Sequence, residues 1–234
     1  MNAKQISKIL RDLANPVIAE HSQRFFKTGK GEYGEGDQFL GIQVPVLREH
    51  AKKYRGVELK EVQKLLQSDF HEERQCALLL LVYKFTKSHE QEKQSIYQLY
   101  LNNTQYINNW DLVDSSAYHI VGAYLEDKDK QILYQLVHSD SLWERRIAIL
   151  STFQFIRKHQ FGDTLRLSKQ LIDDPEDLIH KAVGWMLREI GKRDMSVEKD
   201  FLNSHYQKMP RTMLRYAIEK IPEPERKHYL MGLA

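Results

Sequence analysis

A single cysteine, Cys76, stands in a chain of 234 residues, so no internal disulfide can form and a multi-cysteine zinc site is excluded. A reducing compartment fits that usage. The ten histidines show neither a HExxH run nor a two-histidine helical spacing, which leaves a metal site without support; no cofactor is expected either. Proline and glycine are sparse, at six and eleven residues. No hairpin dipeptide separates two alternating runs, so a sheet protein is disfavoured. The longest unbroken apolar stretch runs only from Cys76 to Tyr83, far short of a membrane span of about 20 residues. No charged segment followed by an apolar one opens the chain, and the expected location is the cytoplasm. An excess of one charge is missing too: the net charge is +3, so any nucleic-acid partner must be argued from where the cations fall.

What is abundant is helical periodicity. Ile6, Ile9, Leu10 and Leu13 form one apolar stripe, and Val57, Leu59, Val62, Leu65 and Leu66 another. Breaks with helix-cap chemistry fall at Asn15-Pro16, Ser68-Asp69, Ser139-Asp140-Ser141 and Asp173-Asp174-Pro175. The fold class is all-α. Three segments superimpose, each after an acidic, polar turn: EERQCALLLLVYKFTK from Glu73, ERRIAILSTFQFIRK from Glu144 and IHKAVGWMLREIGK from Ile179. Their offsets are 71 and 35 residues, and RTMLRYAIEKI from Arg211 follows at about 34. A unit containing NNWDLVDSSAYHIVGAYL, from Asn108, lies between the first two in an ambiguous register. Two-helix units of about 35–45 residues mark helical solenoids. The tetratricopeptide spacing of Trp, Gly and Tyr is absent, so the reading is one HEAT-like repeat domain over residues 1–234.

The superposition aligns Gln75, Arg146, Lys181 and Arg215 near the start of successive inner helices. Cations stacked at helix N-termini make a track for phosphates, because side-chain charge and free N–H groups point the same way. The competing explanation is a solvated repeat surface with structural ion pairs. In TGKGEYGEGD, Gly29-x-Gly31-x-x-Gly34 matches a dinucleotide fingerprint. It follows no strand, and Glu32, Glu35 and Asp37 would repel a pyrophosphate, so a flexible loop is the better reading. Cys76, on an apolar face, reads as core. In NNWDLVDSS, Trp110 and Asp114 are four residues apart and share a helix face. Asp111 suits a helix cap; Asp114 does not. Two tryptophans, Trp110 and Trp185, could flank a site or fill the core.

Four motifs together resemble the HEAT-like alkylpurine DNA glycosylases of the AlkD type: FLGIQVPVLR (Phe39 to Arg48), NWDLVDS (Asn109 to Ser115), LWERRIAIL (Leu142 to Leu150) and HKAVGWMLRE (His180 to Glu189). That resemblance implies a C-shaped solenoid whose concave face holds duplex DNA containing alkylated bases, and a monomer that needs no metal. It implies hydrolysis of the N-glycosidic bond of cationic 3-methyladenine and 7-methylguanine without obligatory base flipping. By motif, Asp114 becomes the catalytic carboxylate, Trp110 and Trp185 flank the lesion's deoxyribose, and Arg146 and Arg188 hold phosphate. Lys181, Arg215, Gln43 and Arg48 join the DNA-facing set. So does Phe25 in PVIAEHSQRFFKTG, which stands where a relative has tyrosine. A non-enzymatic binder of branched or distorted DNA is the alternative, and a protein-binding scaffold a third reading. Asp114 separates them, because a pure binder gains nothing from an anion facing a phosphate backbone.

Overall fold

The computed structural model describes residues 1–233. Among them there is no β-strand, only an isolated parallel bridge between Gln38 and Phe70. The α-helices in chain order are α1 (Ala3–Arg11), α2 (Pro16–Phe25), α3 (Val44–Lys53), α4 (Leu59–Leu66), α5 (His71–Lys87), α6 (Glu90–Leu101), α7 (Trp110–Asp114), α8 (Ala123–Leu125) and α9 (Gln131–Leu136). They continue as α10 (Leu142–Ser151), α11 (Phe153–Ile156), α12 (Gly162–Gln170), α13 (Asp177–Gly191), α14 (Met195–His205), α15 (Arg211–Ala217) and α16 (Glu223–Met231). The chain divides into two compact units, Met1–Tyr124 and Leu125–Ala234. Among the described residues no helix is long and apolar enough to cross a membrane.

The repeat is structural. The helices α5, α10, α13 and α15 begin at residues 71, 142, 177 and 211, which reproduces the sequence offsets of 71, 35 and 34. The turn before each of the first three is built alike. Ser68 Oγ accepts from the N–H of Phe70 and donates to Glu73; Ser139 Oγ does the same with Ser141 and Glu144. One helical position further on, Arg74 donates to the carbonyls of Ser68 and Asp69, and Arg145 to those of Ser139 and Asp140. In the third unit Asp174 accepts from the N–H of Glu176, and the His180 ring meets the Asp174 carbonyl at 2.5 Å. The polar residues read as caps therefore act two positions upstream of the N-cap, as side-chain turns. Of the residues at these breaks, Asn15 is the one that caps directly, accepting from Val17 and Ile18.

The ambiguous unit owes its register to an interruption. After the five-residue α7 the chain makes a π-turn over Tyr118–Gly122 before α8, and the inserted residue dephases any superposition. The first apolar stripe is also shorter than the sequence implies. Its helix ends at Arg11, and Leu13 is exposed. In the second unit α13 and α15 pack closely at Gly184. A Cβ there would fall 2.4 Å from the Met213 carbonyl oxygen and 2.5 Å from Tyr216 Cβ, so only glycine admits this packing. At Gly41, in FLGIQ, φ is +79° and a Cβ would meet the Asn15 carbonyl oxygen at 2.2 Å.

Candidate functional site

The first turns of α5 are the organising centre of the first unit. His71, Glu72, Glu73, Arg74 and Gln75 are all buried, and each finds a partner elsewhere in the chain. The Glu72 carboxylate accepts from the N–H groups of Leu40, Gly41 and Ile42 at 2.8, 2.7 and 3.2 Å, which fixes the FLGIQ segment that leads into α3. Glu73 accepts from Ser7, Ser68 and Arg11. His71 lies between two carboxylates, Nδ1 on Asp37 and Nε2 on Asp111, both at 2.8 Å. Arg74 adds a second cation on Asp37, and Gln75 donates to Asp111 at 3.3 Å.

These contacts hold the short α7. Asn109 is its N-cap, fully buried, with its side chain accepting from the Trp110 N–H at 2.9 Å. The cap role read for Asp111 is therefore wrong: Asp111 is turned to His71 and Gln75 instead. Burial alone would depress the His71 pKa. The charge and hydrogen bond of Asp111 and the hydrogen bond and charge of Asp37 overcome that and raise it to about 9. Burial likewise works against ionised Asp37, but His71 and Arg74 hold its carboxyl below the ordinary value.

An aromatic stack covers the same contacts. His71 stacks on Phe39 (4.5 Å between centroids), Phe39 on Phe26 (5.0 Å) and Phe26 on Trp110 (5.3 Å). Phe25, 57% exposed, meets the Trp110 ring edge-on at 5.9 Å. Trp110 and Asp114, at the two ends of α7, are both half-buried, which is neither a core packing nor a free surface. The negative charge of Asp114 is felt by buried Tyr100, whose pKa is raised first by burial and then by that charge. The structure thus brings together Phe25, Trp110 and the carboxylate-bearing helix. Gln43 and Arg48 stand exposed at the N-cap and within α3.

The glycine-rich segment is turn structure tied by its own acids, with the Gly29 and Gly31 N–H groups donating to Glu32 and Glu35. It opens no βαβ unit, and Asp37 turns inward to His71 and Arg74. Cys76 is buried, its thiol pushed up to about 12 by burial and by the Glu73 charge, in keeping with core.

In the second unit, Arg146, Lys181 and Arg215 are each the fifth residue of their helix, as Gln75 is of α5. Their surroundings differ. Arg146 is buried and its guanidinium donates to the Leu178 carbonyl in the first turn of α13. In that turn Lys181 pairs with Asp177 at 2.8 Å, holding the Asp177 carboxyl below its ordinary value. Arg146 and Lys181 therefore converge on the N-terminal turn of α13, where backbone N–H groups are unsatisfied by the helix itself. Arg215 is exposed on α15. Trp185 is half-buried, tilted against Phe153 at 6.1 Å, with its indole N–H on Glu189. Arg188 pairs with Glu219 and lies beside Glu198, a carboxyl only 1% exposed whose pKa burial raises to about 8 against the opposing charges of Arg188 and Lys199. Among the described residues no cluster of three or more histidine, cysteine or carboxylate side chains could hold a metal ion.

Sequence reasoning missed Asp37, His71, Glu72, Asn109 and the stacked Phe26 and Phe39. One signal was available. The polar run His71–Gln75 precedes Cys76–Tyr83 without helical alternation, so the helix is polar at one end rather than along one face, and a polar end can be buried only by partners from elsewhere.

Residues 6–221 match the model of a family described as DNA alkylation repair enzyme. The fold is similar to that of a predicted DNA alkylation repair enzyme from Enterococcus faecalis, with a TM-score of 0.70 and 17% identity over 90% of this chain and 97% of that one. It is also similar to AlkD2 from Streptococcus mutans, with a TM-score of 0.56 and 18% identity over 77% and 91%. The smu.31 protein of Streptococcus mutans UA159 gives 0.54 and 16% over 94% and 99%. A comparison with curated proteins gave no match.

Proposed function

Because the chain belongs to the DNA alkylation repair enzyme family, we propose that it is a monofunctional DNA glycosylase. It hydrolyses the N-glycosidic bond of cationic alkylated purines, 3-methyladenine and 7-methylguanine, in duplex DNA, as the first step of base excision repair. The observation that carries this reading is α7 itself: a five-residue helix pinned from below by Asn109 and Asp111 that leaves Trp110 and Asp114 half-buried on one face.

The chemistry suits so sparse a set of groups. An N3- or N7-alkylated purine already carries positive charge and departs as a neutral base, so no general acid is needed. As the bond breaks, positive charge passes to the sugar, in an oxocarbenium-like transition state comparable to that of glycosidases. Asp114 stabilises that charge and orients the water that adds to the anomeric carbon, its proton being released as the abasic site forms. The face of Trp110 attracts the same developing cation. Neutral purines leave poorly, so selectivity for charged lesions follows from the missing acid. Lesions need not leave the stack to be cleaved. Phe25, Gln43, Arg48, Lys181, Arg188 and Arg215 make DNA contacts in this reading. Arg146, buried on the Leu178 carbonyl, acts in this reading by ordering the α13 N-terminal turn that carries Lys181 and does not itself touch phosphate.

The test is release of free 7-methylguanine from methylated duplex DNA under single turnover. Asp114→Asn keeps shape and removes charge. The expected loss is about 10²–10³ in rate, with DNA affinity unchanged or tighter because an anion facing phosphates is gone. Full activity in that variant overturns the assignment of Asp114. Absence of release by the unaltered protein, with binding retained, assigns it instead to the non-enzymatic binders of distorted DNA.

A further inference from the structure

We propose that His71 is a positioning residue for this reaction: clamped as an imidazolium between Asp37 and Asp111, it sets the α7 helix that carries Trp110 and Asp114. The inference rests on the reading of α7 as the reacting element and adds a control on it that lies beneath the DNA-facing surface.

Geometry demands the charged ring. Both ring nitrogens sit 2.8 Å from carboxylate oxygens, and ionised carboxylates only accept hydrogen bonds. A neutral imidazole carries one N–H and would aim a lone pair at the other carboxylate. Protonating Asp37 instead is opposed by Arg74, whose guanidinium is on the second oxygen of that carboxylate. The buried group therefore balances two anions, Asp37 and Asp111, against two cations, His71 and Arg74. The other acids on α5 are engaged elsewhere, Glu72 by the amides of Leu40–Ile42 and Glu73 by Ser7, Ser68 and Arg11.

His71 reaches Trp110 by two routes. One is the hydrogen bond to Asp111, the next residue in the chain. The other is the stack through Phe39 and Phe26, with interplanar angles of 21°, 15° and 24°. A ring fixed at both nitrogens holds the bottom of this stack still. Losing the Asp111 contact frees the first turn of α7 and with it the approach of Asp114 to the sugar, and misplacing a reacting group by about 1 Å can cost about 10²-fold in rate. His71 touches no substrate; it acts through Asp111 and Trp110.

The experiment follows three signals across pH 6 to 10.5 (a range set around the His71 titration). They are the ¹⁵N shifts of the His71 ring, the indole resonance that disappears in Trp110→Phe, and single-turnover release of 7-methylguanine with the enzyme-free reaction subtracted. The expected result is a ring protonated at both nitrogens at pH 7 that titrates near 9, with the Trp110 resonance moving and excision falling at least about tenfold on the same midpoint. Asp37→Asn removes one anionic partner while leaving the Arg74 contacts to Ser68 and Asp69, so in this variant all midpoints move to lower pH together. A His71 ring found as a neutral tautomer at pH 7, or a Trp110 resonance that ignores the titration, overturns the proposal. If the unaltered protein releases no methylated base, the glycosylase reading fails, while the two spectroscopic signals still decide whether His71 sets α7.

Discussion

His71 in the first unit and Glu198 in the second are almost equally buried, at 2% and 1% exposure, yet their surroundings treat charge in opposite ways. Around His71 two carboxylates and a guanidinium complete a neutral set, and the ring is driven toward its charged form. Around Glu198 the cation that acts on it most, Arg188, is engaged by Glu219, and no cation is hydrogen-bonded to the carboxylate. The carboxyl is driven toward its neutral form. Burial works against the charged form of both, so the outcome is decided by whether the neighbours supply compensating charge with hydrogen-bond geometry.

The largest expected loss of stability comes from breaking the charge-balanced set around His71. His71→Gln leaves buried Asp37 to Arg74 alone and takes the imidazolium away from half-buried Asp111, and removing one partner of a buried pair typically costs about 3–5 kcal/mol. Urea unfolding at pH 7 measures it. The pH dependence gives the sign. The ring's pKa rises from 6.5 unfolded to about 9 folded, so its stabilisation is complete below 6.5 and is lost as pH climbs through 9, roughly 3 kcal/mol across that window. The gap between the unaltered protein and the variant should narrow above pH 9; a constant gap means that packing, not charge, is what His71 supplies.

Glu198→Gln should act the other way, raising stability instead of lowering it. The carboxyl titrates near 4.5 unfolded and about 8 folded, so the native state binds the extra proton and the protein loses stability as pH rises between those values. A neutral amide escapes that loss. The variant is expected to match the unaltered protein near pH 4.5 and to exceed it by an amount that grows up to pH 8, as read from thermal unfolding at several pH values. Equal stability at pH 9 would show that the carboxyl ionises without cost.

The smallest change sharpens the same contrast. At Gly191 an added Cβ would lie 1.7 Å from Glu198 Oε2, and the atom in the way is the end of a side chain. Gly191→Ala should displace the carboxyl toward water at a cost of about 1 kcal/mol and bring its titration down toward the ordinary carboxylate range, seen in the ¹³C shift of the Glu198 carboxyl. An unchanged titration would mean that the helix moved instead.

The repeat period and its helix starts were legible in the sequence because each turn is closed locally: Ser68 with Phe70 and Glu73, Ser139 with Ser141 and Glu144. The α7 unit blurred because the π-turn over Tyr118–Gly122 adds a residue that no side chain announces. Trp110, Asp114 and Phe25 could be singled out by motif, and the first two by shared face. His71 and Asp37 could not, since their meaning lies in contacts 34 and 40 residues long that a period near 35 does not by itself imply. Asp111 was misassigned for the same reason: at the start of a helix an aspartate reads as a cap until a buried cation is found beneath it. Arg146 shares its helix position with Lys181 and Arg215, but position does not show that α13 covers it.

Arg74 joins the two kinds of contact in one side chain. Its Nη1 closes loops of five and six residues onto Asp69 and Ser68, while its Nη2 reaches Asp37 across 37. Chain entropy charges these closures unequally, by roughly 1.5 kcal/mol more for the long one. The short loops can form in a chain that is otherwise loose, and once formed they hold the guanidinium at the mouth of α5 before Asp37 arrives. The turn that repeats along the chain thereby prepares a non-repeating contact with Asp37, one guanidinium serving both.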